Sequence, residues 1–117
     1  MQHFRFSISW SRILPKGTSD YINPNGIRFY HNVLDELEKN GIEPFVTLYH
    51  WDHPQSIEEN GGWLNKEMVE LFAAYSRVVF QEFAPRVKYF LTINEPYIYC
   101  VGGYRLGFFP PGNLTIK

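Results

Sequence analysis

The chain has 117 residues, 44% hydrophobic and 18% aromatic, enough apolar material for one domain with a core of its own. A net charge of −1, with Lys and Arg scattered along the chain, excludes a basic stripe for nucleic acid and a polybasic membrane patch. No run is long and apolar enough to span a membrane, no apolar stretch of signal-peptide length follows Met1, and the single cysteine excludes an internal disulfide and a thiolate metal site.

Phe4 to Trp10 reads as a buried strand. Asn23-Pro24 then starts a helix whose Ile27, Tyr30, Leu34 and Leu37 share one face, and Gly41 stops it. Pro44 to His50 is a second apolar strand. Asn65 can cap a second helix, with Val69, Phe72, Val79 and Phe83 along one side until Pro85 ends it. Lys88 to Asn94 is a third strand, and Cys100, beside Val101, reads as a small buried apolar residue.

The order β-α-β-α-β with near-continuously apolar strands predicts a parallel sheet covered by helices through right-handed crossovers. An open-sheet nucleotide binder would carry a glycine-rich turn after its first strand. Ser9 to Gly17 offers one late glycine, which favours a barrel. A (β/α)8 barrel has eight strands and about 250 residues. Residues 1–117 therefore read as an incomplete piece of such a domain, beginning in a strand and stopping in the loop Phe108 to Asn113.

In such barrels reactive groups gather at the carboxyl ends of the strands. Here those ends carry Trp10-Ser11-Arg12, His50-Trp51-Asp52-His53 and Asn94-Glu95-Pro96. A carboxylic acid walled by aromatics has its ionised form disfavoured by desolvation, which suits Glu95 to general acid work; a structural ion pair is the plainer alternative. The Asn94 amide and the His50 imidazole can each hydrogen-bond a sugar hydroxyl, and the Trp51 indole can pack against the C–H face of a sugar. His50 and His53 complete no recognised metal-ligand spacing, so no metal and no cofactor is expected. His31, Glu58-Glu59, Glu36, Glu38 and Lys39 read as solvated helix surface. Arg5 alternates with Phe4 and Phe6, and periodicity alone leaves open whether it faces the barrel interior or the helices.

Several long motifs in order resemble glycoside hydrolase family 1, the β-glucosidase-like barrels, over essentially the whole chain. They are Phe4 to Ile13, Asn25-Gly26 with Phe29-Tyr30, Val46 to Gln55, Gly61-Gly62-Trp63, and Thr92 to Pro96. The resemblance implies a piece covering roughly strands 2 to 4, internal or truncated at its N-terminus. It implies a retaining mechanism with two glutamates, Glu95 matching the acid/base and a nucleophile lying outside these residues. By the same match, His50, Asn94 and Trp51 bind the sugar, Arg5 points inward to support the nucleophile, and Tyr97 with the loop Gly103 to Gly112 lies on the leaving-group side. The expected partner is a small β-glycoside or oligosaccharide. A non-catalytic, sugar-binding or receptor-like relative is the competing reading. The segment alone is expected to be inactive and prone to aggregate, having one catalytic carboxyl and unpaired strand edges. The sequon Asn113-Leu114-Thr115 would admit a glycan in a secreted or lumenal protein, but a cytosolic one is equally compatible with the sequence.

Overall fold

The computed structural model describes residues 1–112, so the Asn113 sequon lies outside the described residues. Strands β1 (His3–Ser7), β2 (Glu43–Tyr49) and β3 (Tyr89–Ile93) form one parallel sheet in the order β1-β2-β3. Strand β1 pairs with β2 from His3 opposite Glu43 to Ser7 opposite Thr47. Strand β2 pairs with β3 from Phe45 opposite Tyr89 to Tyr49 opposite Ile93. Parallel neighbours cannot be joined by a hairpin, and α2 (Pro24–Lys39) and α4 (Met68–Phe83) supply the crossovers that the sequence predicts.

The first strand ends earlier than expected. Trp10 opens a short helical turn, α1 (Trp10–Ile13), and is wholly buried instead of lining a mouth. Its ring lies flat on Tyr75 of α4, 4.6 Å between centroids, and its indole N–H donates to the Gly17 carbonyl at 3.1 Å. The Tyr75 hydroxyl lies between the carbonyls of Ile8, at 3.1 Å, and Leu48, at 2.8 Å, tying α4 to the chain leaving two adjacent strands. Leaving such carbonyls buried and unpaired would cost about 1–3 kcal/mol each. Arg12 turns outward, its guanidinium 4.1 Å from the centre of the Phe29 ring.

Helix α2 starts where Asn23 accepts from the Asn25 N–H at 3.1 Å, and it buries Gly26, Tyr30, Leu34 and Leu37. Gly26 is present because two backbones meet there: a Cβ would stand 2.1 Å from the Arg12 carbonyl oxygen. Gly26→Ala is expected to destabilise the protein by roughly 1–3 kcal/mol, read as a fall in the chemical-denaturation midpoint. An unchanged midpoint would contradict this packing.

In α4 the buried face runs through Met68, Tyr75, Val78, Val79 and Phe83, while Val69 is 65% exposed. The expected face was rotated by one residue at its start, because Met68 and Tyr75, seven apart, fix its direction. Asn65 does accept from the Glu67 N–H at 3.0 Å, capping the turn that leads into the helix.

On the outer surface Arg86 donates to Asp35 at 2.6 Å and Glu38 at 3.1 Å, and it lies 3.2 Å from His31 Nδ1. His31 is therefore half-buried beside Phe83 and not a freely solvated side chain. Cys100, expected to be buried, is exposed.

The two sheet faces differ. Phe6 stacks on Tyr30 at 6.1 Å and Phe80 meets Phe90 at 5.0 Å, so these strand residues face the helices. Arg5 lies on the opposite face, where its neighbours are Thr47 and Asn94.

Candidate active site

Residues two apart in a strand share a face, so Arg5 and Ser7 rise together toward the carboxyl ends. Arg5 Nε donates to Thr47 Oγ1 at 3.0 Å, and its Nη2 donates to Asn94 Oδ1. Ser7 Oγ lies 2.9 Å from His50 Nδ1. The Asn94 N–H donates to the Tyr49 carbonyl at 2.9 Å, extending the β2–β3 pairing by one residue. Asn94 is buried, whereas Glu95 and His50 are exposed.

Two side chains at neighbouring strand ends sit on left-handed backbone: Trp51 with φ 68° and Glu95 with φ 42°. For bulky non-glycine residues this conformation costs on the order of 1–3 kcal/mol, and surrounding contacts must hold it. The contacts are visible. Trp51 Nε1–H donates to the Asn94 carbonyl at 2.8 Å, and the indole packs against Tyr99 at 5.5 Å and Phe109 at 5.6 Å. Helix α5 (Pro96–Tyr99) follows Glu95 directly, with Pro96 at its first position and the Tyr99 N–H donating to the Glu95 carbonyl at 3.0 Å. The left-handed turns break strand alternation, so His50-Trp51 and Asn94-Glu95 meet above the sheet.

Of the sequence-predicted groups, Arg5 reaches Asn94 from the middle of β1, Trp51 binds the Asn94 carbonyl, His50 meets Ser7 beside them, and the exposed Glu95 follows Asn94 directly; Trp10 instead packs in the core on Tyr75, and Arg12 lies over Phe29. Ser7 and Thr47 are additional members. The shared parity of Ser7 with Arg5 is a signal that could have found Ser7. The aromatic wall expected around Glu95 is not supplied by residues 1–112, since Glu95 is exposed.

Behind His50-Trp51, burial pushes the Asp52 carboxyl up from its ordinary range. The His50 N–H and the Ser9 hydroxyl oppose that shift. Glu58, expected on a solvated face, instead sits 2.8 Å from His53 Nε2. His53 Nδ1 lies 2.8 Å from the Tyr49 hydroxyl, which lies 3.1 Å from the Tyr99 hydroxyl. Burial pushes the Tyr49 phenol up to about 12, so it stays a neutral hydroxyl at physiological pH. Burial also pushes Tyr99 and Tyr104 up. Both ring nitrogens of His53 are thus engaged within the protein. Among the described residues, no cluster of three or more His, Cys, Asp or Glu could hold a metal ion. Nor is any described helix long and apolar enough to cross a membrane.

Known proteins match this chain closely over part of their length. It is 50% identical to the cytosolic beta-glucosidase of Cavia porcellus over 112 residues, covering 96% of this chain and 24% of that protein. It is 53% identical to beta-glucosidase 3 of Arabidopsis thaliana over 113 residues, covering 96% of this chain and 22% of that protein. The family 1 beta-glucosidase of Thermotoga maritima superposes with a TM-score of 0.93 at 47% identity, covering 97% of this chain and 25% of that one. That same enzyme has been solved in complex with castanospermine and with deoxynojirimycin. The chain spans about a quarter of the length of these relatives, and its three parallel strands are a segment of the family's (β/α)8 barrel. Residues 1–117 match the model of Glycosyl hydrolase family 1 from end to end, and the chain belongs to that family.

Proposed function

We propose that the protein carrying this segment is a retaining β-glycosidase acting on terminal non-reducing β-D-glucosides or related sugars, and that residues 1–117 are part of its catalytic domain. The observation that carries the reading is the bond from Trp51 Nε1 to the Asn94 carbonyl. It joins a sugar-stacking indole and His50 on one strand end to the Asn94-Glu95 pair on the next.

In the first step Glu95, as the acid, gives its proton to the glycosidic oxygen as the bond to C1 breaks. A carboxylate from a strand outside residues 1–117 forms the new bond to C1. In the second step the Glu95 carboxylate takes a proton from water, the water oxygen bonds C1, and the ester to the nucleophile breaks with retention of configuration. His50 and Asn94 hold the glycone hydroxyls, and the Trp51 ring covers an apolar face of the sugar. The closeness to proteins named beta-glucosidases supports a glucoside-like substrate.

The test is turnover of an aryl β-D-glucoside by the full-length protein, with the anomer of the first-formed sugar read by proton NMR. The expected result is a β-configured product, and no turnover by residues 1–117 alone, because the nucleophile is assigned to a strand outside them. An α-configured first product would refute retention. Tight binding of an azasugar by the full-length protein without any turnover would favour a non-catalytic sugar binder.

A further inference from the structure

Glu58, His53, Tyr49 and Tyr99 form a hydrogen-bonded chain directly behind the site, and the reaction scheme above leaves it without a task. It runs from α3 (Gln55–Glu59) through the last residue of β2 to the last residue of α5. Its interior is buried: Tyr49 is 0% exposed, Tyr99 4%, and the His53 side chain 6%. The links are 2.8 Å from Glu58 to His53, 2.8 Å from His53 to Tyr49, and 3.1 Å from Tyr49 to Tyr99. A buried polar chain of this kind is costly unless every member is satisfied, and once satisfied it rigidifies what it touches.

What it touches is the backbone around Glu95. Tyr99 gives its N–H to the Glu95 carbonyl at 3.0 Å and presents its ring to Trp51 at 5.5 Å. Trp51 in turn binds the Asn94 carbonyl at 2.8 Å. The left-handed backbone of Glu95, φ 42° and ψ 59°, is therefore gripped on both sides by residues that the chain holds in place. The Gly61-Gly62-Trp63 motif has a matching role. A Cβ on Gly62 would lie 2.4 Å from Glu58 Oε2, and Trp63 packs against Tyr49 at 5.3 Å, so the glycine leaves the room through which Glu58 reaches His53.

We propose that Glu58, His53, Tyr49 and Tyr99 are a positioning relay for the proton donor, fixing the backbone of Glu95 so that its carboxyl group is aimed at the leaving-group oxygen. The proposal rests on the reading of Glu95 as the acid/base. None of the four is among the residues assigned to the sugar; they act through Trp51 and the Asn94-Glu95 backbone. A proton donor misplaced by a fraction of an ångström to an ångström loses rate only in the step that needs the proton. The relay is therefore expected to influence glycosides in proportion to how much their leaving groups need protonation.

The experiment uses the full-length protein with two substrates, phenyl β-D-glucoside, whose leaving group needs the proton, and 2,4-dinitrophenyl β-D-glucoside, whose leaving group does not. Tyr49→Phe removes one hydroxyl and keeps the ring. It is expected to lower kcat/KM on the phenyl glucoside by about 10-fold while changing the dinitrophenyl glucoside by less than about 2-fold. His53→Gln is expected to give the same pattern and carries the comparison if Tyr49→Phe yields no soluble protein. Glu95→Gln, run alongside, is expected to show the same selectivity on a larger scale, and adding Tyr49→Phe to it should produce no further selective loss. If Glu95→Gln is selective but the relay variants lose both substrates equally, or neither, the relay is overturned and the acid/base reading stands. If Glu95→Gln is itself unselective, the acid/base reading fails and the relay fails with it.

Discussion

Glu95→Gln in the full-length protein is expected to lower kcat/KM by about 10²–10⁴-fold on glycosides with poor leaving groups, the usual contribution of general acid catalysis. The substitution preserves length and shape, and Gln can occupy the same backbone after Asn94 while Pro96 and the Tyr99 N–H hold the turn. What disappears is the transferable proton. For an activated leaving group, which departs without protonation, the first step should proceed nearly unimpaired. The second step then limits, because Gln cannot take a proton from water. The glycosyl-enzyme should accumulate as a burst, and a small anion that needs no general base, such as azide, should restore turnover as a glycosyl azide. Equal losses on poor and activated leaving groups, with no burst and no azide effect, would remove Glu95 from the acid/base role.

Much of this site was legible because its chemistry sits where the fold requires. Apolar strands alternating with helices place their carboxyl ends on one side, so His50-Trp51 and Asn94-Glu95 could be brought together from strand order alone. Less visible was how the chain turns at those ends. Nothing in the composition of Trp51 or Glu95 announces left-handed backbone, which most side chains avoid, because the compensation comes from Tyr99 and Asn94, distant from Trp51 in sequence. Glu58 departs from the sequence expectation for a related reason: helical periodicity places it on an outer turn, but the glycine at 62 opens a path inward to His53 that no periodicity encodes. Trp10 and Val69 show the opposite failure. Both were assigned by local pattern, and both were decided by Tyr75, whose ring takes Trp10 and whose position in α4 turns Val69 outward. Arg5 needed the partner strands, since alternation offers two faces and only Thr47 and Asn94 choose between them.

Arg5→Met should be the second most damaging substitution, with kcat/KM falling by about 10²–10³-fold, the magnitude expected for losing two hydrogen bonds made by a charged group. Arg5 donates to Asn94 Oδ1 and to Thr47 Oγ1. With its carbonyl oxygen already occupied by the guanidinium, the Asn94 amide is left with Nδ2 free to donate to a sugar hydroxyl, the orientation that the proposed substrate contact requires. Met keeps the apolar stem and removes both donors, so the amide can rotate and present the wrong atom. Because the lost contact concerns the sugar and not the leaving group, the loss should be similar for phenyl and dinitrophenyl glucosides, in contrast to Glu95→Gln. Arg5→Lys should recover little, since an ammonium on a flexible stem cannot hold the two acceptors that the planar fork spans. A loss confined to poor leaving groups would assign Arg5 to the proton-transfer step instead. Full activity in Arg5→Lys would mean that charge alone, and not the orientation of Asn94, is what this position supplies.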